Sequence, residues 1–420
     1  MRQLIKNGRV IDPANRLDKI CDVLIEDDTI VKIGDNLSAE DAAVIDAAEK
    51  IVAPGFIDMH VHLREPGQEA KEDFASGSRA AAAGGYTTVA AMPNTSPVVD
   101  NAALVRSLQK RADDVSLVHI EIIGALTKGQ CGEELAELGD MAEAGAVAFS
   151  DDGHYVERAK VLLSGLDYLR AFDKIIINHD EDTSLVEEGC MNEGRRSAML
   201  GVKGRPTVAE DIAVDRDIRL AEYADTRVHV AHISSARAVE IVRQAKKRGV
   251  RVSAEVTPHH LTLTEDYVNP PLRRQSDVDA MLEGLKDGTI DAIVTDHSPH
   301  AEEEKDVEYC LAPSGFPGLE TAVGVLLTEL YHSGKLDLDT LISKLTAEPA
   351  RLLRLDAGTL AAGSRADIVI LDPAREWTVD ERAFYTRGTH SPFAGRRLKG
   401  RAVLTMVGGK VVMRDGKIIE

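Results

Sequence analysis

The sequence is short of the features that mark several large protein classes. It has four cysteines in 420 residues, Cys21, Cys131, Cys190 and Cys310, widely spaced and without a CxxC pair. That spacing gives neither a disulfide framework nor a zinc knuckle, and all four are expected to be reduced thiols. No stretch of about 20 uninterrupted apolar residues occurs, so no transmembrane helix is expected. The opening MRQLIKNGRVIDPANR lacks the apolar segment and small-residue cleavage site of a signal peptide, which makes the cytoplasm the expected compartment. Basic residues are in deficit, 50 against 70 acidic, for a formal net charge of -20. Nucleic acid and anionic membranes would each need a basic face and are excluded as expected partners. Low-complexity tracts and long flexible linkers are missing as well.

What is present is a repeat of strand and helix signals. Apolar stretches suited to buried strands occur at 56–62, 87–92, 118–125, 146–150, 174–179, 227–233, 250–256 and 289–296. Amphipathic helical segments such as NAALVRSLQKRA and SARAVEIVRQAKKRG separate them. Eight such units predict an α/β chain folded as a (β/α)8 barrel over residues 54–357, with helices at 316–333 and 338–354 completing its outer wall. A doubly wound open sheet is the competing fold, but it carries a phosphate-binding glycine turn after its first strand, where this chain has histidines. Residues 1–53 and 358–420 alternate short strands with turns, and together they predict one small β-sandwich built from both chain ends.

The first barrel stretch, in GFIDMHVHLREPG, places His60 and His62 one residue apart. Strict strand alternation would turn both imidazoles to one face, with Ile57, Met59 and Val61 on the other. Taken alone, the pair reads equally well as a metal site or as two partly exposed histidines. The other strand ends favour the metal. Chemistry in such barrels gathers at the C-terminal ends of the strands. Those ends carry His60 and His62, then Asn94, Asp151 and Asp152, His179, His232 and Asp296. The donor set exceeds the three protein ligands of a single catalytic zinc. It suits two ions about 3.5–4 Å apart that share a carboxylate. Imidazole with carboxylate matches Zn²⁺ best, with Mn²⁺ and Co²⁺ as alternatives.

The order of these ligands resembles the amidohydrolase superfamily. Within it, DMHVHLREPG, AAMPNTSPVVDN, FSDDG, NPPLR, TDHSPH and SGFPGLET together resemble the class I dihydroorotases. The resemblance implies reversible hydrolysis of (S)-dihydroorotate to N-carbamoyl-L-aspartate, the third step of pyrimidine synthesis. It also implies that His60, His62, Asp152 and Asp296 hold one zinc, and that His179, His232 and the shared Asp152 hold another. Asp296 would carry the proton. Substrate contacts would come from His62, Arg64, Asn94, Asn269, His300, Ser314 and Gly315, with the Arg64 guanidinium matching a carboxylate. Many relatives bridge their metals with a carboxylated lysine, but this chain has AFSDDG at that point; spacing favours Asp152 over Asp151. Asp58 is expected to support His60, and His259 and His260 to buttress the mouth without binding metal. The LTLTEDYV segment before Asn269 is shorter than the family pattern. The resemblance further admits a homo-oligomer or association with an aspartate transcarbamoylase. Rival readings are a hydantoinase or allantoinase and a catalytically inactive scaffold of the same fold; the latter typically loses ligands that this chain retains.

Overall fold

The computed structural model describes residues 1–38, 40–264 and 268–420. Eight parallel strands follow one another around a sheet in sequence order. They are β1 Phe56–Val61, β2 Tyr86–Ala91, β3 His119–Gly124, β4 Ala148–Phe149, β5 Ile175–Asn178, β6 Val228–Val230, β7 Val252–Val256 and β8 Ala292–Ile293. The main helices after them are α1 Phe74–Gly84, α2 Ala102–Val115, α3 Leu138–Glu143, α4 Ala159–Leu169, α5 Val208–Ala224, α6 Ala236–Lys247, α7 Gln275–Lys286 and α8 Leu319–Leu326. Each strand overlaps one of the apolar stretches read from the sequence. Local chemistry sets the helix starts: Asp73 and Ser76 form a capping box on α1, and the Ser235 hydroxyl caps α6.

Side-chain alternation divides the strands between two apolar layers. Ala90, Ile123, Ala148, Ile175, Ile177, Ala292 and Val294 fill the barrel interior. Val89, Ile122, Phe149, Ile176, Val230 and Ile293 pack outward among helix residues. β1 departs from this rule. Its pairing with β2 slips between Asp58 and Val61. Met59 joins the inner layer and Val61 the outer one. The expectation that Met59 and Val61 share a face therefore fails, because a bulge re-aims the chain beneath the two histidines.

The sheet closes where β1 meets the segment after β8. Val61 and His297 form a bridge, and His62 N–H donates to His297 O at 2.8 Å. The buried Asp58 carboxylate accepts N–H of His60 at 3.1 Å and N–H of Thr295 at 3.0 Å, binding both sides of the seam. Outside the seam, α1 approaches α8 so closely that a Cβ on Gly84 would stand 2.2 Å from Leu319 O.

The chain ends build a nine-stranded sheet. Ile51–Pro54 is its hinge strand, parallel to Arg2–Asp12 and antiparallel to Ile368–Thr378. Ile5, Val10, Val23, Val52, Ile368, Ile370, Leu404 and Met406 form its own core. Among the described residues no helix is long and apolar enough to cross a membrane.

The C-terminal segment also returns to the barrel. Tyr385 N–H and Thr386 N–H donate to Glu320 Oε1 at 2.8 and 3.2 Å, and the Thr386 hydroxyl bonds Glu72. Part of the Glu320 side chain reaches solvent, yet burial of the carboxyl raises its pKa from 4.5 to about 8. The folded state thus favours the protonated form. Its stabilising effect is complete below the unfolded value of 4.5 and is lost as pH rises through about 8. Glu320→Gln keeps the acceptor oxygen without the charge. It should be more stable than the parent at pH 8, by about 1.4 kcal/mol for each tenfold displacement of the proton equilibrium it removes. The difference should shrink to near zero at pH 4. Urea unfolding at the two pH values measures it, and equal differences at both would refute the assignment.

Candidate metal and substrate site

The strand ends converge on one cavity of about 400 Å³, lined by His62, Arg64, Asn94, Asp152, His179, His232, Asn269, Asp296, Ser298, His300 and the 310–315 loop. Asp152 is central. Its Oδ1 lies 3.4 Å from His60 Nε2, 3.2 Å from His232 Nε2 and 3.6 Å from His179 Nδ1. Its Oδ2 lies 3.4 Å from His62 Nε2. Asp296 Oδ1 is 3.2 Å from His62 Nε2 and 3.8 Å from His60 Nε2. His179 Nδ1 and His232 Nε2 face each other at 3.0 Å. The ligand atoms of His60, Asp152 and His232, and those of His60, His62 and Asp296, each gather closely enough to hold an ion.

Asp151 is turned elsewhere. Its carboxylate accepts N–H of Leu126 at 2.9 Å, N–H of Thr127 at 3.0 Å and the Thr127 hydroxyl. Of the two adjacent aspartates only Asp152 reaches the clustered histidines His60, His62, His179 and His232.

The electrostatics of the cluster favour a cation. Burial penalises every charge here, yet the group still polarises. His60 is raised well above its ordinary value because Asp152 and Glu255 outweigh its desolvation. His179 rises to about 9, burial again being outweighed by Asp152 and Glu181. Asp296 falls to about 2 against its own burial, through His62, His60 and His232. One buried ring nitrogen of the cluster, His60 Nε2, has no hydrogen-bond partner among the described residues. A buried nitrogen without a partner, beside carboxylates held ionised, is the environment a divalent metal satisfies. The residues present therefore fit a metal.

The substrate-facing wall is arranged around Arg64. This residue adopts a left-handed backbone, φ 64°, just beyond β1. Its Nη2 donates to Ser298 Oγ at 2.7 Å and its Nε to Pro299 O at 3.2 Å; His300 Nε2 lies 3.3 Å away. Burial pushes its pKa down to about 10, against the pull of Asp296, Glu304 and Asp152. Burial and Arg64 push His300 down to about 3, and His300 Nε2 contacts Ser314 O at 2.8 Å. Asn94 Oδ1 stands 2.9 Å from His62 Nδ1, so it holds the ring as well as lining the cavity. Asn269 Oδ1 accepts from Arg205 Nη1 at 2.5 Å, and its Nδ2 lies 3.2 Å from His179 Nε2. Glu265, Asp266 and Tyr267, in the short segment before Asn269, lie outside the described residues. His259 and His260 are buried behind the mouth, where His260 is held by Thr257 and Pro270 and neither lines the cavity.

Three features escaped the sequence reading. Glu255, inside β7, contacts His60 and was legible only as one charge in an apolar strand. Arg205 comes from an excursion between β5 and α5 with no motif to mark it. The cysteine expectation also needs correction: Cys190 and Cys310 are joined in a disulfide, while Cys21 and Cys131 are free. A separation of 120 residues hides the contact, because the β5–α5 excursion folds against the loop that lines the cavity.

The chain resembles known proteins along nearly its whole length. Residues 49–238 match the dihydro-orotase-like family model, and residues 213–413 match that of the amidohydrolase family. A dihydroorotase of Syntrophotalea carbinolica is 50% identical over 423 residues, covering 99% of both chains. One of Pelotomaculum thermopropionicum is 52% identical over 424 residues, again covering 99% of both. Among solved structures, an L-hydantoinase from Arthrobacter aurescens superposes with a TM-score of 0.91 at 28% identity, over 100% of this chain and 98% of its own.

The two neighbouring aspartates should separate on substitution. Asp152→Asn should lose bound metal while folding normally. Asp151→Asn replaces an acceptor of buried N–H and O–H groups and should instead lower stability, by about 1–3 kcal/mol. Metal analysis of the purified variants beside urea unfolding decides the matter. Equal metal loss in both would overturn the choice of Asp152 over Asp151.

Proposed function

The chain belongs to the dihydroorotase family of the amidohydrolase superfamily, and on that premise we propose how its residues share the work. It interconverts (S)-dihydroorotate and N-carbamoyl-L-aspartate, a hydrolase reaction on a cyclic amide and the third step of pyrimidine synthesis. We infer two zinc ions per chain, one held by His60, His62, Asp152 and Asp296, the other by His179, His232 and the shared Asp152. When bound, such metals acidify water and polarise a carbonyl. The cytoplasm is the compartment that suits this pathway step.

The chain's own groups supply the rest. Asp296 lines the cavity, with its Oδ1 3.2 Å from His62 Nε2, and takes the proton of the attacking water. It returns that proton to the ring nitrogen as the amide bond breaks. Arg64 receives the exocyclic carboxylate, with His300 and the Asn94 amide beside it. Asn269 and the backbone of Ser314 and Gly315 face the ureide edge of the ring. Ring opening creates a carboxylate and releases a proton, so acidic pH favours closure.

One observation carries the reading. Arg64 is buried at 7% exposure and lines the same cavity as the metal-binding residues, and among the described residues its guanidinium bonds Ser298 Oγ and Pro299 O and has no carboxylate within 4.0 Å. A desolvated cation without an anionic partner is matched by a substrate carboxylate. The hydantoinase alternative rests on the fold likeness, but an uncharged cyclic ureide would leave Arg64 without an anionic partner.

Dihydroorotate turnover by the zinc-loaded protein tests the activity directly. Arg64→Met tests its basis. Losing the ion pair should cost about 2–5 kcal/mol, roughly 30- to several-thousand-fold in kcat/KM, with zinc content unchanged. Weak hydrolysis of dihydrouracil, which lacks the carboxylate, should change little. An equal loss on both substrates would make Arg64 a structural residue. Asp296→Asn should keep most of its metal and lose about 10²–10⁴-fold in kcat; a rate within a few-fold of the parent would assign the proton to another group.

A further inference from the structure

We propose that Glu255 is a positioning residue whose single carboxylate fixes one histidine at each of the two metal positions. The inference rests on the metal-site reading above. β7 supplies none of the assigned ligands, yet it sends this one acidic side chain into the barrel, at 0% exposure. Glu255 Oε1 lies 2.6 Å from His60 Nδ1 and accepts backbone N–H of His232 at 3.3 Å. Its Oε2 lies 3.0 Å from His229 Nε2. One carboxylate thus touches β1, β6 and the segment just after β6.

Hydrogen-bond chemistry then dictates the tautomers. An ionised carboxylate only accepts, so His60 Nδ1 and His229 Nε2 must both carry hydrogens. The other nitrogen of His229, Nδ1, is 2.7 Å from Ser253 Oγ and takes the serine hydroxyl hydrogen, which closes that side of the network. In the neutral form that binds a metal, with its one proton on Nδ1, His60 presents a bare lone pair at Nε2, the nitrogen that has no hydrogen-bond partner and faces Asp152 and Asp296. Carboxylate partners of this kind set both the tautomer and the angle of a metal-binding imidazole. The bond to His232 N–H fixes the backbone of a ligand assigned to the second metal. Glu255 therefore couples the two positions, although it binds neither ion.

Glu255→Gln is the direct test, because it preserves shape and breaks the pattern. An amide oxygen turned to His60 sets an NH₂ against the N–H of His229, and the reverse orientation opposes His60. Zinc dissociation constants of the full-length variant, from competition with a chelator of known affinity, should rise about 10–100-fold at both positions. Melting of the chelator-treated variant should stay near that of the treated parent. Parental affinity at either position would overturn the proposal, and so would metal loss explained entirely by a lower melting temperature. A second measurement needs no variant at Glu255. Nitrogen-15 spectra of histidine-labelled parent protein, assigned against His60→Gln, should show His60 protonated at Nδ1. A His60 that carries its hydrogen at Nε2 alone would overturn the proposal even if Glu255→Gln fails to fold. A parent protein that binds no zinc would overturn the metal reading instead, and the tautomer would still judge Glu255.

Discussion

Closure of the barrel between β1 and the end of β8 is the constraint on which the site depends. Asp58 and Thr295 are 237 residues apart in sequence, and their hydrogen bond joins the two edges of the sheet. Only when that seam is shut do His60 and His62 stand beside Asp296. The remaining strands then determine how far around the ring Asp152, His179 and His232 arrive. A parallel barrel brings many strand ends to one rim without requiring sequence neighbours, which is why such a rim can collect a dense group of polar donors.

Density has a cost, and the surroundings show how it is met. Imidazoles and carboxylates buried together are expensive unless each is paired. Asn94 fixes His62, Glu255 fixes His60, and Asp58 restrains the backbone on both sides of the seam. Glu72 does the same for His297: Gly318 N–H donates to His297 Nδ1 at 3.2 Å, which leaves Nε2 protonated towards Glu72 at 3.2 Å. The polar groups around the cavity are thus oriented before any substrate enters. Preorganisation of this kind spares the reaction the work of turning dipoles.

Much of this was legible in the sequence, and what was not has a physical reason. The apolar stretches located all eight strands because strands buried on both faces must be apolar along their length. His60, His62, Asp152, His179, His232 and Asp296 stood out because strand ends are where side chains can converge. The bulge in β1 could not be read, since it arises from pairing with β2 and not from the residues themselves. Glu255 cannot be singled out from sequence, because a single charge within a strand states nothing about its partner. Arg205, together with the link from Cys190 to Cys310, belongs to an excursion whose path is set by tertiary contact, where local pattern carries little information.

The sheet shared by the two chain ends has a consequence for how the protein is made. A ribosome delivers Arg2–Asp12 and Ile51–Pro54 first, and the hinge strand's antiparallel neighbour, Ile368–Thr378, comes more than 300 residues later. Throughout that interval Ile51–Pro54 offers an unpaired apolar edge directly ahead of the emerging barrel. Exposed edges of that kind invite pairing with other chains, so the nascent polypeptide is most vulnerable to association just before its last strands are released. The barrel sequence separates the two halves of this sheet, and the sheet is complete only when the whole chain is present.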